Sequence, residues 1–231
     1  MITFSHDSQL IALNSFVFSK KRSLDNPFRT YTSLAYNGIY IWDVRSGETK
    51  AYFKPKGSIT RPPLAFSPNG ATLVTEDAST FHTSLWDVQH QQNHITLKQD
   101  ADAVAFSPDG SLLATIRSFD IHIWDAHTGK RIRELNIQEE DASDGTTVVF
   151  SPESYILLVS KYSHVLPYCL DTIELFDIKT SKNLLSLSGH TETIETLVFS
   201  HDGKVLASGS RDGTVILWDW YKILNKITME N

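Results

Sequence analysis

The sequence predicts an all-β protein built from five repeats, because two short motifs recur along its 231 residues. The first motif places a phenylalanine and a serine before a turn sequence, and it begins at Phe4, Phe66, Phe106, Phe150 and Phe199. The second motif is an apolar residue, an aromatic residue and an aspartate, and it ends at Asp43, Asp87, Asp125, Asp177 and Asp219. Five units average about 46 residues each, which is the range for four-stranded propeller blades.

The third unit shows how each repeat is expected to fold. Its apolar runs are short and bounded by turn residues, and they cover Ala103–Phe106, Leu112–Ile116, Ile121–Trp124 and Ile132–Leu135. The sequence Pro108-Asp109-Gly110 suits a tight connection between two strands. We therefore expect four antiparallel strands, a to d, in every unit. The chain is predicted to be a single domain with blades at about 1–55, 56–98, 99–137, 138–188 and 189–231.

Composition excludes several classes of protein. The chain is 41% hydrophobic and 21% charged, which is typical of a globular fold, and its net charge of −6 does not suit binding to nucleic acid. Its one cysteine, Cys169, leaves no internal disulfide and no cysteine-rich zinc site. The sequence has no signal-peptide pattern and no long apolar run. We therefore expect a cytoplasmic protein with no membrane or nucleic-acid partner.

The fifth unit carries a resemblance to a known family. From Gly189 to Asp219 it reads GHTETIETLVFSHDGKVLASGSRDGTVILWD. This stretch resembles a nearly complete WD-repeat consensus, and the other four units resemble it through the two motifs. The resemblance implies a β-propeller, with strand a innermost and strand d outermost in each blade.

The resemblance also implies a buried tetrad of hydrogen-bonded side chains, which falls here on His190, Ser208, Asp212 and Trp218. The other units lack the aspartate, since the same position holds Tyr36, Thr80, Ser118 and Leu170. In the fourth unit Phe176 also replaces the tryptophan. We expect those blades to depend on apolar packing and backbone hydrogen bonds.

No catalytic or cofactor motif is present. A serine, a histidine and an aspartate could also form a hydrolase triad, but the chain has no GxSxG sequence and Ser208 is expected inside a strand. No metal-ligand spacing, P-loop or dinucleotide-binding motif occurs. We expect no cofactor, no metal and no enzyme activity. A small-ligand or enzymatic site in a central channel remains the less favoured alternative.

Insertions predict where a partner binds. The first unit carries a basic and aromatic insertion between strands b and c, at Ser19–Gly38, and the fourth carries one at Lys161–Asp171. The connection before the fourth unit is acidic. Each insertion is either a solvated surface loop or an interaction loop, and topology places b–c and d–a connections on one face. The candidate partner-binding residues are Lys20, Lys21, Arg22, Phe28, Arg29, Tyr31, Glu139, Glu140, Asp141, Tyr162, His164 and Arg211.

These observations predict a non-catalytic scaffold that binds protein or peptide partners through this face. The alternative is a sensor or regulatory repeat module within a larger multidomain protein. The first strand is short, at Ile2–Ser5, and Leu224–Met229 is expected to supply the outer strand of the fifth blade. The chain is therefore predicted to be part of a larger propeller with an incomplete, open ring; if it stands alone, it is expected to close as an unusually small ring or to pair with another copy. An open ring would favour self-association, because it exposes apolar blade faces.

Overall fold

The computed structural model describes residues 2–22, 30–53, 65–77, 82–117, 120–136, 142–143, 147–163 and 171–230. The backbone alone is described at 14–22, 30–37, 77, 136, 142–143, 162–163 and 230. The chain divides into two compact units, Met1–Asp100 and Ala101–Asn231. The single-domain organisation and the open ring stay predictions.

The first unit contains two four-stranded antiparallel sheets. Blade 1 consists of β1 (Ile2–Phe4), β2 (Leu10–Arg22), β3 (Thr30–Asp43) and β4 (Thr49–Phe53). Blade 2 consists of β5 (Ala65–Phe66), β6 (Thr72–Asp77), β7 (His82–Asp87) and β8 (Gln92–Leu97). In both sheets each strand pairs with the next in sequence, so the predicted order a, b, c, d is confirmed.

The second unit contains three antiparallel sheets and a helix. Blade 3 is β9 (Ala103–Phe106), β10 (Leu112–Arg117), β11 (Asp120–Asp125) and β12 (Arg131–Asn136). Blade 4 is β14 (Val148–Phe150), β15 (Ile156–Ser163), β16 (Thr172–Asp177) and β17 (Asn183–Ser188), with the short β13 (Ala142–Ser143) added against β15. Blade 5 has three strands, β18 (Ile194–Phe199), β19 (Val205–Ser210) and β20 (Val215–Asp219), followed by α1 (Trp220–Glu230).

The first sequence motif forms the turn between strands a and b. In blade 3, Ser107 Oγ donates to Asp109 Oδ1 and accepts the backbone N–H of Leu112 at 2.9 Å. Asp109 Oδ1 also accepts the N–H of Ser111, and Gly110 takes a φ of +73°. Blades 1, 2 and 5 repeat the serine-to-carboxylate or serine-to-amide bond. The motif therefore recurs because it provides the hydrogen bonds of a tight turn.

The second motif forms the turn between strands c and d. In blade 3, Asp125 Oδ1 accepts the N–H groups of His127 and Thr128, and Gly129 donates its N–H to the Asp125 carbonyl. Gly129 has a φ of +68°, which directs the chain back along the sheet. The residue four places after the aspartate has a positive φ in each of the first four blades, at Gly47, Gln91, Gly129 and Ser181.

The equivalent position in blade 5 is Ile223, and the chain there continues as a helix. A β-branched side chain is strongly disfavoured at positive φ, so the turn does not form. Asp219 Oδ1 accepts the N–H of Lys222 at 3.1 Å and thereby caps the first turn of α1. The predicted outer strand at Leu224–Met229 is wrong, because these residues are helical.

Alternate residues of the central strands bury one blade against the next within each unit. Ile121 and Ile123 of β11 lie in one cluster with Phe150, Leu157 and Phe176 of blade 4. The second cluster joins blades 4 and 5 to the apolar side of α1, through Ile156, Leu158, Ile173, Leu175, Leu197, Leu206, Trp220, Ile223 and Ile227. Burial of each such aliphatic side chain contributes about 1.5–3 kcal/mol before conformational entropy is counted.

Trp220 fixes α1 to blade 4. Its substitution therefore tests whether the helix packs against that blade. The Trp220 side chain is 1% exposed, and its Nε1 donates to Glu153 Oε1 at 3.1 Å. We expect Trp220→Ala to lower the free energy of unfolding by about 3–5 kcal/mol, because it leaves a large cavity. Urea denaturation measures this loss. The neighbouring Tyr221 is 59% exposed, so Tyr221→Ala is the control and is expected to cost less than about 0.5 kcal/mol. Equal losses in the two variants would show that α1 does not pack as described.

Candidate functional site

Blade 5 brings the four predicted tetrad residues together in one chain of hydrogen bonds. His190 Nδ1 lies 2.9 Å from Asp212 Oδ2, and His190 Nε2 lies 2.8 Å from Ser208 Oγ. Trp218 Nε1 donates to Ser208 Oγ at 2.9 Å. With Asp212 ionised, the network assigns the histidine hydrogen to Nδ1, so that Ser208 donates to Nε2. The strands position these groups, since Ser208 lies on β19 and Trp218 on β20.

Serine, histidine and aspartate stand here in the order of a hydrolase triad, and burial decides against that chemistry. The Ser208 side chain is completely buried, so a substrate carbonyl cannot approach its oxygen. Its hydroxyl already accepts the indole N–H. The arrangement is therefore suited to holding the b–c connection of blade 5 to its neighbouring strands.

Hydrogen bonds also hold Asp212 in its charged form. Thr214 Oγ1 donates to Asp212 Oδ1 at 2.6 Å, and this bond is the main reason that the pKa of Asp212 lies well below its usual value. Desolvation acts in the opposite direction, while the N–H of Thr191 and the His190 ring lower the pKa further. A carboxylate with several donors strongly favours ionisation.

Three other blades replace parts of the tetrad in ways that the sequence analysis missed. Trp86 Nε1 donates to Thr75 Oγ1 at 2.8 Å, and Trp124 Nε1 donates to Thr115 Oγ1 at 2.9 Å. Both threonines occupy the register position of Ser208. In blade 4 that position is the buried Val159, and the tryptophan is Phe176, so donor and acceptor are replaced together. The expectation that these blades rely on apolar packing and backbone bonds is wrong for blades 1, 2 and 3, since each tryptophan there donates to a threonine hydroxyl.

Blade 1 uses a different acceptor for its tryptophan. Its register position for the hydroxyl is Leu13, and Trp42 Nε1 donates instead to Thr49 Oγ1 of β4 at 2.9 Å. The signal for the bonds in blades 2 and 3 was in the sequence, because Thr75 and Thr115 each stand eight residues after the serine of the first motif, as Ser208 does. It becomes visible only once the strand register is known.

Asp171 is a buried residue that sequence reasoning did not single out. It immediately precedes β16, is 1% exposed, and its Oδ2 accepts the N–H of Ile194 at 2.6 Å. The bond connects blade 4 to the inner strand of blade 5. Burial raises the pKa of Asp171, while the Ile194 bond and nearby His190 lower it. Asp171 Oδ1 has no hydrogen-bond partner among the described residues.

The basic insertion of blade 1 is a two-stranded ribbon over its described residues, and the expectation of a loop is wrong there. Lys20, Lys21 and Arg22 lie on β2 and pair with Thr32, Tyr31 and Thr30 of β3. A bulge at Ser15/Phe16 faces Gly38, whose φ is +148°. A Cβ at Gly38 would stand 2.6 Å from the Phe53 carbonyl oxygen, so glycine is required at the base of the ribbon. Phe28 and Arg29 lie outside the described residues.

The fourth blade brings its two irregular connections together. β15 extends through Tyr162 to Ser163 and pairs with β13, so the d–a connection lies beside the b–c extension. Glu139, Glu140, Asp141 and His164 lie outside the described residues. Arg211, in the b–c turn of blade 5, donates from Nε to Glu195 Oε1 at 2.5 Å.

A cavity of about 390 Å³ lies at the opposite end of blade 1, lined by Asp7, Ser8, Gln9, Asp43, Val44 and Arg45. Its two aspartates accept hydrogen bonds within their own turns. Among the described ranges, no group of three or more histidine, cysteine or acidic side chains could hold a metal ion. No described helix is long and apolar enough to cross a membrane.

Antiparallel blades with these two motifs define a WD-repeat β-propeller as the class of fold. The family model "WD domain, G-beta repeat" matches residues 181–219. Periodic tryptophan protein 2 of Arabidopsis thaliana is 25% identical over 99% of this chain and 23% of its own length. Target of rapamycin complex subunit wat1 of Schizosaccharomyces pombe is 34% identical over 51% of this chain and 35% of its own.

The solved structure of Kuenenia stuttgartiensis hydrazine synthase has the same fold. It superposes with a TM-score of 0.67 at 19% identity, covering 90% of this chain and 54% of that one. The matched region spans about a quarter of the length of the Arabidopsis relative and about a third of the length of the Schizosaccharomyces relative. Residues 181–219 match the WD-repeat family model, and the antiparallel sheets have the fold of a WD-repeat β-propeller.

The tetrad predicts that blade 5 is more sensitive to loss of its polar core than blade 3. We expect His190→Ala to lower the free energy of unfolding by about 1–3 kcal/mol, since it leaves the buried Ser208 hydroxyl without an acceptor for its hydrogen. Ser118→Ala, at the sequence position equivalent to Asp212 in the third repeat, is the control and should cost much less. Chemical denaturation of both variants gives the comparison. Similar losses would mean that blade 5 is not specially stabilised.

The ionised form of Asp212 also predicts a pH dependence. Because folding lowers its pKa, its stabilising contribution is present above the unfolded value of about 3.9 and is lost as pH falls below it. The difference in stability between the wild type and Asp212→Asn should therefore be largest near neutral pH and shrink in acid. Urea midpoints measured across this range test the sign. A difference that stays constant with pH would contradict the role of the charge.

Proposed function

We propose that this chain is a non-catalytic scaffold that binds a protein or peptide partner through its b–c and d–a connections. The observation that carries the proposal is the β2–β3 ribbon. The b and c strands of blades 2 and 3 have six residues each, whereas β2 has 13 and β3 has 14. The extra length is not needed to complete a blade.

The ribbon projects beyond the rest of its sheet. β1 pairs with β2 only at Leu13 to Ile11, and β4 pairs with β3 only from Ile39 to Trp42. Among the described residues, positions 16–22 and 30–36 therefore pair only with each other. An isolated two-stranded ribbon is marginally stable in water, so a partner that covers it would stabilise it.

The composition of the ribbon suits recognition of a protein. Three successive basic residues, Lys20 to Arg22, end β2, and Tyr31 stands opposite them in register. Arginine and aromatic residues dominate the binding energy of many protein interfaces. An acidic surface on the partner would complement these basic residues. Such complementarity sets the rate and specificity of association.

The comparisons support this class of function at a coarse level. The relative from Schizosaccharomyces pombe is named as a subunit of a complex. Because the chain matches only part of its longer relatives, a regulatory repeat module of a larger protein is the second candidate. Hydrazine synthase is an enzyme by name, but a likeness at 19% identity supports the fold alone. A cytoplasmic location is part of the proposal.

Charge reversal on the ribbon is the decisive experiment. Partners are first captured with the purified chain and identified by mass spectrometry, and binding is then measured by calorimetry at two salt concentrations. We expect the triple variant Lys20→Glu, Lys21→Glu, Arg22→Glu to weaken binding and to reduce its salt dependence.

A matched control changes the same number of charges at the opposite ends of the strands. Lys130, Lys182 and Lys204 are exposed residues of c–d and a–b turns, and their triple replacement by glutamate should leave affinity within about twofold of the wild type. If the control variant lost binding and the ribbon variant kept it, the partner would bind at the opposite ends of the strands, and the proposal would be wrong.

A further inference from the structure

Blade 5 is an incomplete sheet with a free edge. β20 pairs with β19 on one side, and no described strand pairs with its other side. The backbone N–H of Trp220 donates to the Lys204 carbonyl. The backbone N–H and C=O groups of the even-numbered residues of β20 therefore point toward β19. The N–H and C=O groups of Val215, Leu217 and Asp219 therefore point to the open edge. The equivalent Asp43, Asp125 and Asp177 donate toward strand d in their own blades.

The side chains beside this edge form an apolar surface that other blades bury. Val215 is 68% exposed and Leu217 is 70% exposed. The equivalent positions in the other four blades are completely buried, namely Ile39, Ile41, Thr83, Leu85, Ile121, Ile123, Ile173 and Leu175. Val198 on β18 and Tyr221 on α1 extend the exposed surface. Contiguous apolar surface of a few hundred Å² on a soluble protein is typical of an interaction site.

The four complete blades show what chemistry fits against β20. The residue opposite the position of Val215 is always large and apolar, and it is Phe53, Leu97, Leu135 or Leu187. The residue two places earlier, opposite the position of Leu217, is Ala51, Ile95, Arg133 or Leu185. A strand that fits here therefore runs antiparallel to β20 and has leucine or phenylalanine at the position opposite Val215.

Helix α1 leaves this position open. Its buried residues Trp220, Ile223 and Ile227 pack in the cluster shared with blade 4. Tyr221, on the other side of the helix, is exposed. The segment that forms strand d in the other blades is thus used elsewhere in the core.

We propose that β20 binds an extended peptide segment of a partner protein, which adds to blade 5 as its fourth strand. Backbone hydrogen bonds to Val215, Leu217 and Asp219 provide the affinity, and two alternate apolar side chains provide the specificity. The second of these side chains, toward the C-terminus of the peptide, is leucine or phenylalanine. This site is separate from the β2–β3 ribbon and does not depend on the function proposed for it.

The test uses the purified chain and a synthetic peptide with the sequence of residues 182–188, KNLLSLS, which is the outer strand of blade 4. The matched control is KNLDSDS, in which aspartate replaces the two leucines that correspond to Leu185 and Leu187, opposite the positions of Leu217 and Val215. Fluorescence anisotropy measures binding, and hydrogen exchange measures protection of the Leu217 amide. We expect only the first peptide to bind and to slow exchange at Leu217.

Two variants of the chain locate the site. Leu217→Lys should weaken binding at least tenfold, whereas Val198→Lys, on the inner strand of the same face, should change it less than about threefold. Circular dichroism verifies that both variants fold. Binding that is insensitive to Leu217→Lys would overturn the proposal. So would an edge amide already protected in the free monomer, which would mean that the chain covers its own edge, or one protected only by dimerisation, which would make a second copy the occupant.

Discussion

The turn that begins at the last residue of strand c, an aspartate, determines how each blade ends. In the first four blades the aspartate carboxylate accepts backbone N–H groups of the next residues, and a residue with positive φ reverses the chain into strand d. Blade 5 keeps the aspartate and has Ile223 where the reversal is needed. The same carboxylate then caps α1. Blade 5 thus differs from the complete sheets at the turn position itself, and no described strand pairs with the outer side of β20.

The sequence predicted the repeat fold well because its motifs are made of turn chemistry. Serine, aspartate and glycine at fixed spacing can be recognised without knowledge of any distant contact. The helix was missed although its signal is local, since Trp220, Ile223, Leu224 and Ile227 have helical spacing after a good N-cap residue. The repeat pattern led us to expect a strand there, and the local pattern determined the structure.

The candidate sites differ in how far residues alone could reveal them. The tetrad residues follow from the resemblance of one repeat, and they lie within hydrogen-bonding distance. The hydroxyl acceptors Thr75 and Thr115 require the strand register. Asp171 could not have been found, since its contact with Ile194 joins residues 23 positions apart in two different blades. The β2–β3 extension was predicted as a loop because it exceeds the length of a blade strand, whereas its two halves pair with each other as strands.

Two polar contacts cross from blade 4 to the end of the chain in addition to the apolar cluster. Asp171 accepts from the inner strand of blade 5, and Trp220 donates to Glu153 in the a–b turn of blade 4. In repeat proteins, the strength of contacts between neighbours determines how many repeats unfold together. These contacts would make the last two blades open as one cooperative segment. A partner that stabilised the edge of β20 would then slow local opening as far away as β14.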